Sequence, residues 1–295
     1  LWIETYTYFK EVSKCRRTEA LSGENELELR GRQFYNQHLD DIAIFSKDWL
    51  EAVISTTMCP VNKLENEDSC FVIENGEFSC VAVADGLGGH KGGGLASRLA
   101  ISILNETLNI YEASPQSERL PIREVILDAI ERSHVEIQAL GIGAGTTLTM
   151  AILTRKTVRF FNVGDSCSML IGGMGTLKFK NIEQSPVGYG LEGGFLTEDQ
   201  VVGHAASGIV LNALGLSPLR IEVSQEFELA RRDSILLSSD GLTDNLAYSR
   251  IGEIVGRGTL LEKIRRLKQE ATEQMGNEKG KPDDLTMILL KVRDI

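Results

Sequence analysis

Residues 71–94 read FVIENGEFSCVAVADGLGGHKGGG. Two apolar runs flank Asn75-Gly76, a strong short-range signal of a β-hairpin. The second run stops at Asp85 and gives way to a segment dense in glycine. An Asp-Gly pair is an ordinary way to end a strand. An aspartate at a strand mouth, followed by backbone free to approach a ligand closely, is also how metal and phosphate sites are built.

The residues around this stretch weigh between those readings. Downstream, GGGLASRLAISILNETLNIY (92–111) and PIREVILDAIERSHVEIQAL (121–140) carry apolar residues at helical spacing, the second with Pro121 at its start. TTLTMAILTRKTVRFFNVGDSCSMLIGG (146–173) reads as three strands with turns at Arg155-Lys156 and Gly164-Asp165. SILLSSDGLTDNL (234–246) repeats the opening pattern, an apolar strand ending in Asp-Gly. A helix over GTLLEKIRRLKQEATEQM (258–275) and a last strand in DDLTMILLKV (283–292) follow. This order predicts an α+β domain with mostly antiparallel sheets. Residues 181–220 are rich in Gly, Pro and Ser, with little periodicity, too long for a passive loop. Upstream, DDIAIFSKDWLEAVI (40–54) has helix-like spacing but runs into the strand-like AVISTTM. Residues 1–51 are therefore expected to form an N-terminal extension, and 52–295 one domain.

Composition narrows the function classes. Hydrophobic residues at 42% and charged residues at 25% are ordinary for a soluble globular protein. A net charge of −11 argues against nucleic acid or an anionic membrane as partner. No run approaches the ~18 apolar residues of a membrane span. Five cysteines without CxxC pairing argue against a disulfide framework. The opening LWIETYTYFKEVSKCRR turns polar and acidic too early for a signal peptide, so a cytoplasmic location is expected.

Carboxylates recur at the strand ends. Glu67-Asp68 precede one strand, Asp85-Gly86 and Asp240-Gly241 end two others, Asp165 sits in a turn, and Asp283-Asp284 open the last strand. One such site is turn chemistry; five in one domain call for another reason. Oxygen ligands of this kind suit Mg²⁺ or Mn²⁺. Two such ions about 3.5–4 Å apart activate a water and clamp a phosphoryl group. Gly86 leaves its carbonyl accessible to an ion.

The ordered set NED (66–68), DGLGG (85–89), GTTL (145–148), NVGDS (162–166), SDGLTD (239–244) and DDLT (283–286) resembles the metal-dependent protein phosphatases (PPM), the type 2C serine/threonine phosphatases, and among them the bacterial type. The resemblance covers about residues 52–293. It implies a four-layer α-β-β-α sandwich of two antiparallel sheets flanked by helices, with a two-metal centre at one edge. It further implies that Asp85 bridges the ions, that Asp240 and Asp283 complete one, and that Glu67 and the Gly86 carbonyl serve the other. Asp68 then holds metal-bound water from behind the ligands, the nucleophile is a metal-activated water, and Asp165 with Asp240 supports a weaker third ion. No phosphoenzyme is expected. The implied substrates are phosphoserine and phosphothreonine proteins, a serine/threonine kinase or its targets among them.

Some positions depart from the family pattern. Lys63 stands where the family usually grips the substrate phosphate with an arginine, and offers a point charge instead of a bidentate fork. Cys167 follows GDS where arginine is common, and Leu87 follows Asp-Gly where some members place a histidine acid. The segment 181–215 falls where the family has its variable flap, and substrate choice is expected there. Two other readings stay open: a catalytically inactive binding module of the same fold, favoured only by Lys63, and a phosphatase for small phosphorylated molecules. His90, beyond the Asp-Gly, is the weaker candidate for an acid. His134, His204, Thr146 and Thr147 are read as structural, and GHKGGGLAS lacks the order of a Walker phosphate loop.

Overall fold

The computed structural model describes residues 32–35, 43–47, 49–61, 65–74, 77–87 and 92–293. In chain order come β1 (Arg32–Tyr35), β2 (Ala43–Lys47), β3 (Leu50–Thr57), β4 (Ser69–Glu74), β5 (Ser79–Ala84) and β6 (Gly86–Leu87). Helices α1 (Gly93–Ala113) and α2 (Ile122–Ala139) follow, then β7 (Gly145–Thr146), β8 (Leu148–Leu153), β9 (Thr157–Val163), β10 (Cys167–Ile171) and β11 (Leu177–Lys180). Two short helices, α3 (Pro186–Glu192) and α4 (Glu198–Val201), lead to β12 (Glu222–Val223), β13 (Phe227–Glu228) and β14 (Ser234–Ser238). The chain closes with α5 (Asp240–Thr243), α6 (Tyr248–Val255), α7 (Leu260–Met275) and β15 (Leu285–Val292).

Among the described residues one large sheet runs β1-β4-β5-β8-β9-β12, with β13 also on β9, and a second runs β11-β10-β14-β15-β3-β2. Their pairings are antiparallel throughout. The strand sequences explain why the sheets stack. β4 and β5 are buried along their whole length, so both of their faces must be covered. Phe71 and Ile73, with Cys80, Ala82 and Ala84, pack under α1 and α2 against Ala100, Leu104, Ile126 and Ile130. The alternate residues Cys70, Val72, Val81 and Val83 meet Ile54, Leu237, Ile288 and Leu290 between the sheets. On the far side Met287 and Leu289 of β15 pack with Ile251 of α6 and with Ile264 and Leu267 of α7. Three apolar seams therefore hold four layers, the expected α-β-β-α sandwich. Each buried Leu, Ile or Phe contributes about 1.5–3 kcal/mol to that stacking.

The helices over 92–111, 121–140 and 258–275 form within two residues of their expected ends. A capping box starts α7: Thr259 Oγ1 accepts from Glu262 N, and Glu262 Oε2 accepts from Thr259 N at 2.8 Å. The Asn75-Gly76 turn lies outside the described residues, but β4 and β5 pair on both sides of it, Glu74 opposite Ser79.

The expected boundary at 51/52 falls within a strand. It cuts β3, and β1 and β2 pair with β4 and β3, so the sheets draw on residues before 52. The helix-like spacing of 40–54 yields to strand because β3 lies between β15 and β2, with Ala52 and Ile54 in the inter-sheet seam. Tertiary pairing overrides local periodicity there. Among the described residues no helix is long and apolar enough to cross a membrane.

Candidate active site

The carboxylates singled out above come from ends of both sheets and meet at one edge of the sandwich. Asp85 leaves β5 with both backbone polar groups fixed. Its carbonyl accepts from Thr147 N and from Thr146 Oγ1, each at 2.8 Å, and its N–H donates to Thr147 Oγ1 at 3.0 Å. Thr147 Oγ1 also lies 2.6 Å from Ser166 Oγ, which ties GTTL to the NVGDS turn. Gly86 has no room for a side chain, since a Cβ there would lie 2.3 Å from the carbonyl carbon of Gly93. A Cβ on Gly93 would likewise fall 2.7 Å from Glu67 Oε1. The glycines thus let the start of α1 close onto the Asp85-Gly86 backbone beside Glu67.

Glu67 and Asp68 are anchored from the opposite sheet. Asp284 Oδ1 accepts from Cys59 N at 2.7 Å and Asp284 Oδ2 from Glu67 N at 2.8 Å. Ser97 Oγ of α1 donates to the Glu67 carbonyl at 2.6 Å. Asp68, 1% exposed, accepts from Ser239 Oγ at 2.8 Å, and Ser239 Oγ itself accepts from Thr286 N at 3.0 Å.

Asp240 opens α5, and Gly241 lies so close to β15 that a Cβ would meet the Asp284 carbonyl oxygen at 2.1 Å. Lys281 reaches into this corner. Its Nζ lies 2.8 Å from Asp240 Oδ2, 2.5 Å from Asp244 Oδ2 and 3.9 Å from Asp283 Oδ2. Asp165 follows Gly164, whose φ of 98° is open to glycine but costly for other residues. Gly164 N donates to Gln184 Oε1 at 2.7 Å, joining this turn to the segment 181–215. That segment is pinned again where Thr146 N donates to the Leu214 carbonyl and Gly203 N to the Asp244 carbonyl.

The electrostatics record the crowding. Desolvation, then the charges of Asp68, Asp240, Asp283 and Asp165, pushes the Asp85 carboxyl well above the usual carboxylate range. Burial and Asp284 raise Asp68, against the hydrogen bond from Ser239. Burial raises Asp165, with Asp240, Glu183 and Asp244 adding to it. Asp244 is pushed up to about 7 by burial and Asp240, against Lys281. For Lys281, burial works against the charge, but Asp240 and Asp244 outweigh it and hold the ammonium above its ordinary range.

A cation fits this edge. One buried oxygen each of Asp68, Asp165 and Asp240 accepts no hydrogen bond, a costly state unless a cation compensates it. Oxygen donors dominate the rim, and Gly86 adds no side chain of its own there. Among the described residues no three His, Cys, Asp or Glu side chains already stand as a closed ligand cage; Lys281 holds two of the carboxylates instead.

The structure brings together Glu67, Asp68, Asp85, Gly86, Asp165, Asp240 and Asp283. Lys63 and His90 lie outside the described residues. His134 accepts from Gly215 N at 3.1 Å and His204 from Ala206 N, both structural contacts. Thr146 and Thr147 hydrogen-bond as structural residues do, and the partner they hold is the Asp85 backbone. Ser239, Asp244, Asp284 and Lys281 escaped the sequence reading as site residues. The first three stand inside quoted motifs, and Lys281 lies two residues before Asp283.

A two-sheet sandwich with carboxylates collected at one edge is the architecture of the PPM phosphatases. The profile of protein phosphatase 2C matches residues 57–279, and the chain belongs to that family. It is 31% identical over 239 residues to the serine/threonine phosphatase stp of Listeria monocytogenes, covering 78% of this chain and 91% of that one. Among solved structures it resembles the S. agalactiae serine/threonine phosphatase, with a TM-score of 0.70 and 26% identity over 83% of this chain and all of that one. It also resembles the catalytic domain of the serine/threonine protein phosphatase PstP, solved in complex with two manganese ions, with a TM-score of 0.66 and 25% identity over 83% of this chain and 99% of that one.

Proposed function

We propose that this protein phosphatase depends on Mg²⁺ or Mn²⁺ and that two ions are held by Glu67, Asp85, the Gly86 carbonyl, Asp240 and Asp283. The observation that carries the reading is the set of buried oxygens on Asp68, Asp165 and Asp240 that accept no hydrogen bond. The manganese pair in the PstP relative supports it. When bound, such ions lower the pKa of water and neutralise charge on a phosphoryl group. The chain's own residues do the rest. Thr146 and Thr147 hold the Asp85 backbone in place, and Gly86 lets its carbonyl be approached. Asp68, braced by Ser239, offers Oδ1 as acceptor to the attacking water and orients it. Lys63 supplies positive charge to the substrate phosphate. Asp165 lies buried beside Asp240, where the family resemblance puts a weaker third ion.

The substrates in this reading are phosphoserine and phosphothreonine proteins, including a serine/threonine kinase or its targets. The segment 181–215, pinned to Thr146, Gly164 and Asp244, flanks the scissile group and presents exposed Phe195, Ile209 and Leu211 to the peptide. The buried thiols of Cys70, Cys80 and Cys167 support a reducing, cytoplasmic setting.

The test is hydrolysis of a phosphothreonine peptide by the wild type and Asp85→Asn, with Mn²⁺, with Mg²⁺ and with EDTA. Turnover should need metal and should fall in the variant by more than the roughly 10–100-fold loss typical of residues behind a metal ligand. Full activity in EDTA, or in Asp85→Asn, sinks the proposal.

A further inference from the structure

We infer that Lys281 is a built-in cation: its ammonium takes the place on Asp240 and Asp244, beside Asp165, that a weaker third metal ion would otherwise take. The inference rests on the metal-centre reading above and deepens it.

Lys281 is delivered to this place by its backbone. Its N–H donates to Asn245 Oδ1 at 3.0 Å, and Asn245 Nδ2 donates to the Lys281 carbonyl at 2.9 Å and to the Gly241 carbonyl at 3.0 Å. One buried amide therefore clamps the segment before β15 onto α5, which carries Asp240 at its start. Pro282 follows and holds Lys281 to extended backbone. From there the side chain spans Asp240 Oδ2 and Asp244 Oδ2 within hydrogen-bond distance, and its charge reaches Asp165.

This is not a surface ion pair of small consequence. Asp240, Asp244 and Asp165 are all at least nine-tenths buried, so removal of the ammonium leaves like charges facing one another without a counter-ion. A divalent ion would restore the balance. Asp240 and Asp165 each keep one buried oxygen without a hydrogen bond. Asp240 Oδ1 is thus left for the pair shared with Asp85, while the lysine holds Asp240 Oδ2 and lies 3.9 Å from Asp283 Oδ2.

The experiment is calorimetric titration of the full chain with Mn²⁺, paired with thermal denaturation in EDTA and in excess Mn²⁺. The wild type and Lys281→Arg should each bind two ions. Lys281→Ala should bind one more, weaker ion, and adding Asp244→Asn should remove it again. In EDTA, Lys281→Ala should melt below the wild type, and excess Mn²⁺ should close most of that gap. An unchanged count in Lys281→Ala overturns the inference alone, as does tighter binding of the first two ions with no third. Failure of the wild type to bind Mn²⁺ overturns the metal-centre reading and the inference with it.

Discussion

The Ser239 hydroxyl donates to Asp68 at 2.8 Å across 171 residues of chain. Ser239 follows β14 of one sheet, and Asp68 precedes β4 of the other, so this hydrogen bond joins the two sheets at the carboxylate edge beside that of Glu67 N to Asp284 Oδ2. The same hydroxyl oxygen accepts from Thr286 N, which aims its O–H at Asp68.

Ser239→Ala should therefore cost both stability and turnover. Loss of a partner to a buried charged group amounts to about 1–3 kcal/mol, readable as a lower urea midpoint. Turnover should drop by roughly 10–100-fold, as for groups that orient a ligand shell, with KM little changed. A variant as stable and active as the wild type would remove Ser239 from the site.

Thr147→Val keeps the shape of the side chain but deletes the hydroxyl that accepts from Asp85 N and contacts Ser166. The Asp85 amide is left without its partner. Mn²⁺ affinity should weaken by about 10-fold or more, as measured by calorimetry, while the fold persists. Unchanged affinity would show that the β5 end is held by the Thr146 and Thr147 bonds to its carbonyl alone.

Gly86→Ala should be among the least tolerated single-carbon additions in the molecule. The added Cβ would stand 2.3 Å from Gly93 and 2.8 Å from the Glu67 carbonyl oxygen, backbone in both cases. Overpacking of this kind costs about 1–3 kcal/mol and sometimes more. Denaturant melts should show the loss, and a structure of the variant should show α1 displaced from Glu67. Wild-type stability would contradict the close approach.

The metal-free protein should become less stable as pH rises. Asp244 is raised to about 7, first by burial and then by Asp240, whereas an unfolded aspartate titrates near ~3.9. Between those values the folded chain keeps a proton that the unfolded chain has released, so each step up in pH favours unfolding. Asp68, Asp85 and Asp165 are raised in the same direction. Melting temperatures in EDTA should fall across this window, and excess Mn²⁺, which binds the ionised carboxylates, should flatten the profile. A melting temperature that climbs with pH in EDTA would refute the crowding.

Much of this molecule is legible in one dimension. Short apolar runs bounded by turns specify β4, β5, β8, β9 and β15, and 3.6-residue periodicity specifies α1, α2 and α7. Strand-end carboxylates mark Glu67, Asp68, Asp85, Asp165, Asp240 and Asp283, because a turn after a strand is a local event that the adjacent residues encode. Other features depend on distant partners. β2 and β3 are strands because β15 offers an edge to pair with, not because residues 40–54 prefer that state. Asp284 secures Cys59 and Glu67, more than 200 residues away, through two backbone N–H groups. Lys281 is one ordinary lysine in a polar segment until Asn245 clamps it beside Asp240. The local alphabet of strands, turns and candidate ligands was written in the sequence; tertiary structure alone chose which charge faces which, because burial and ion pairing act across space between residues that chain order keeps apart.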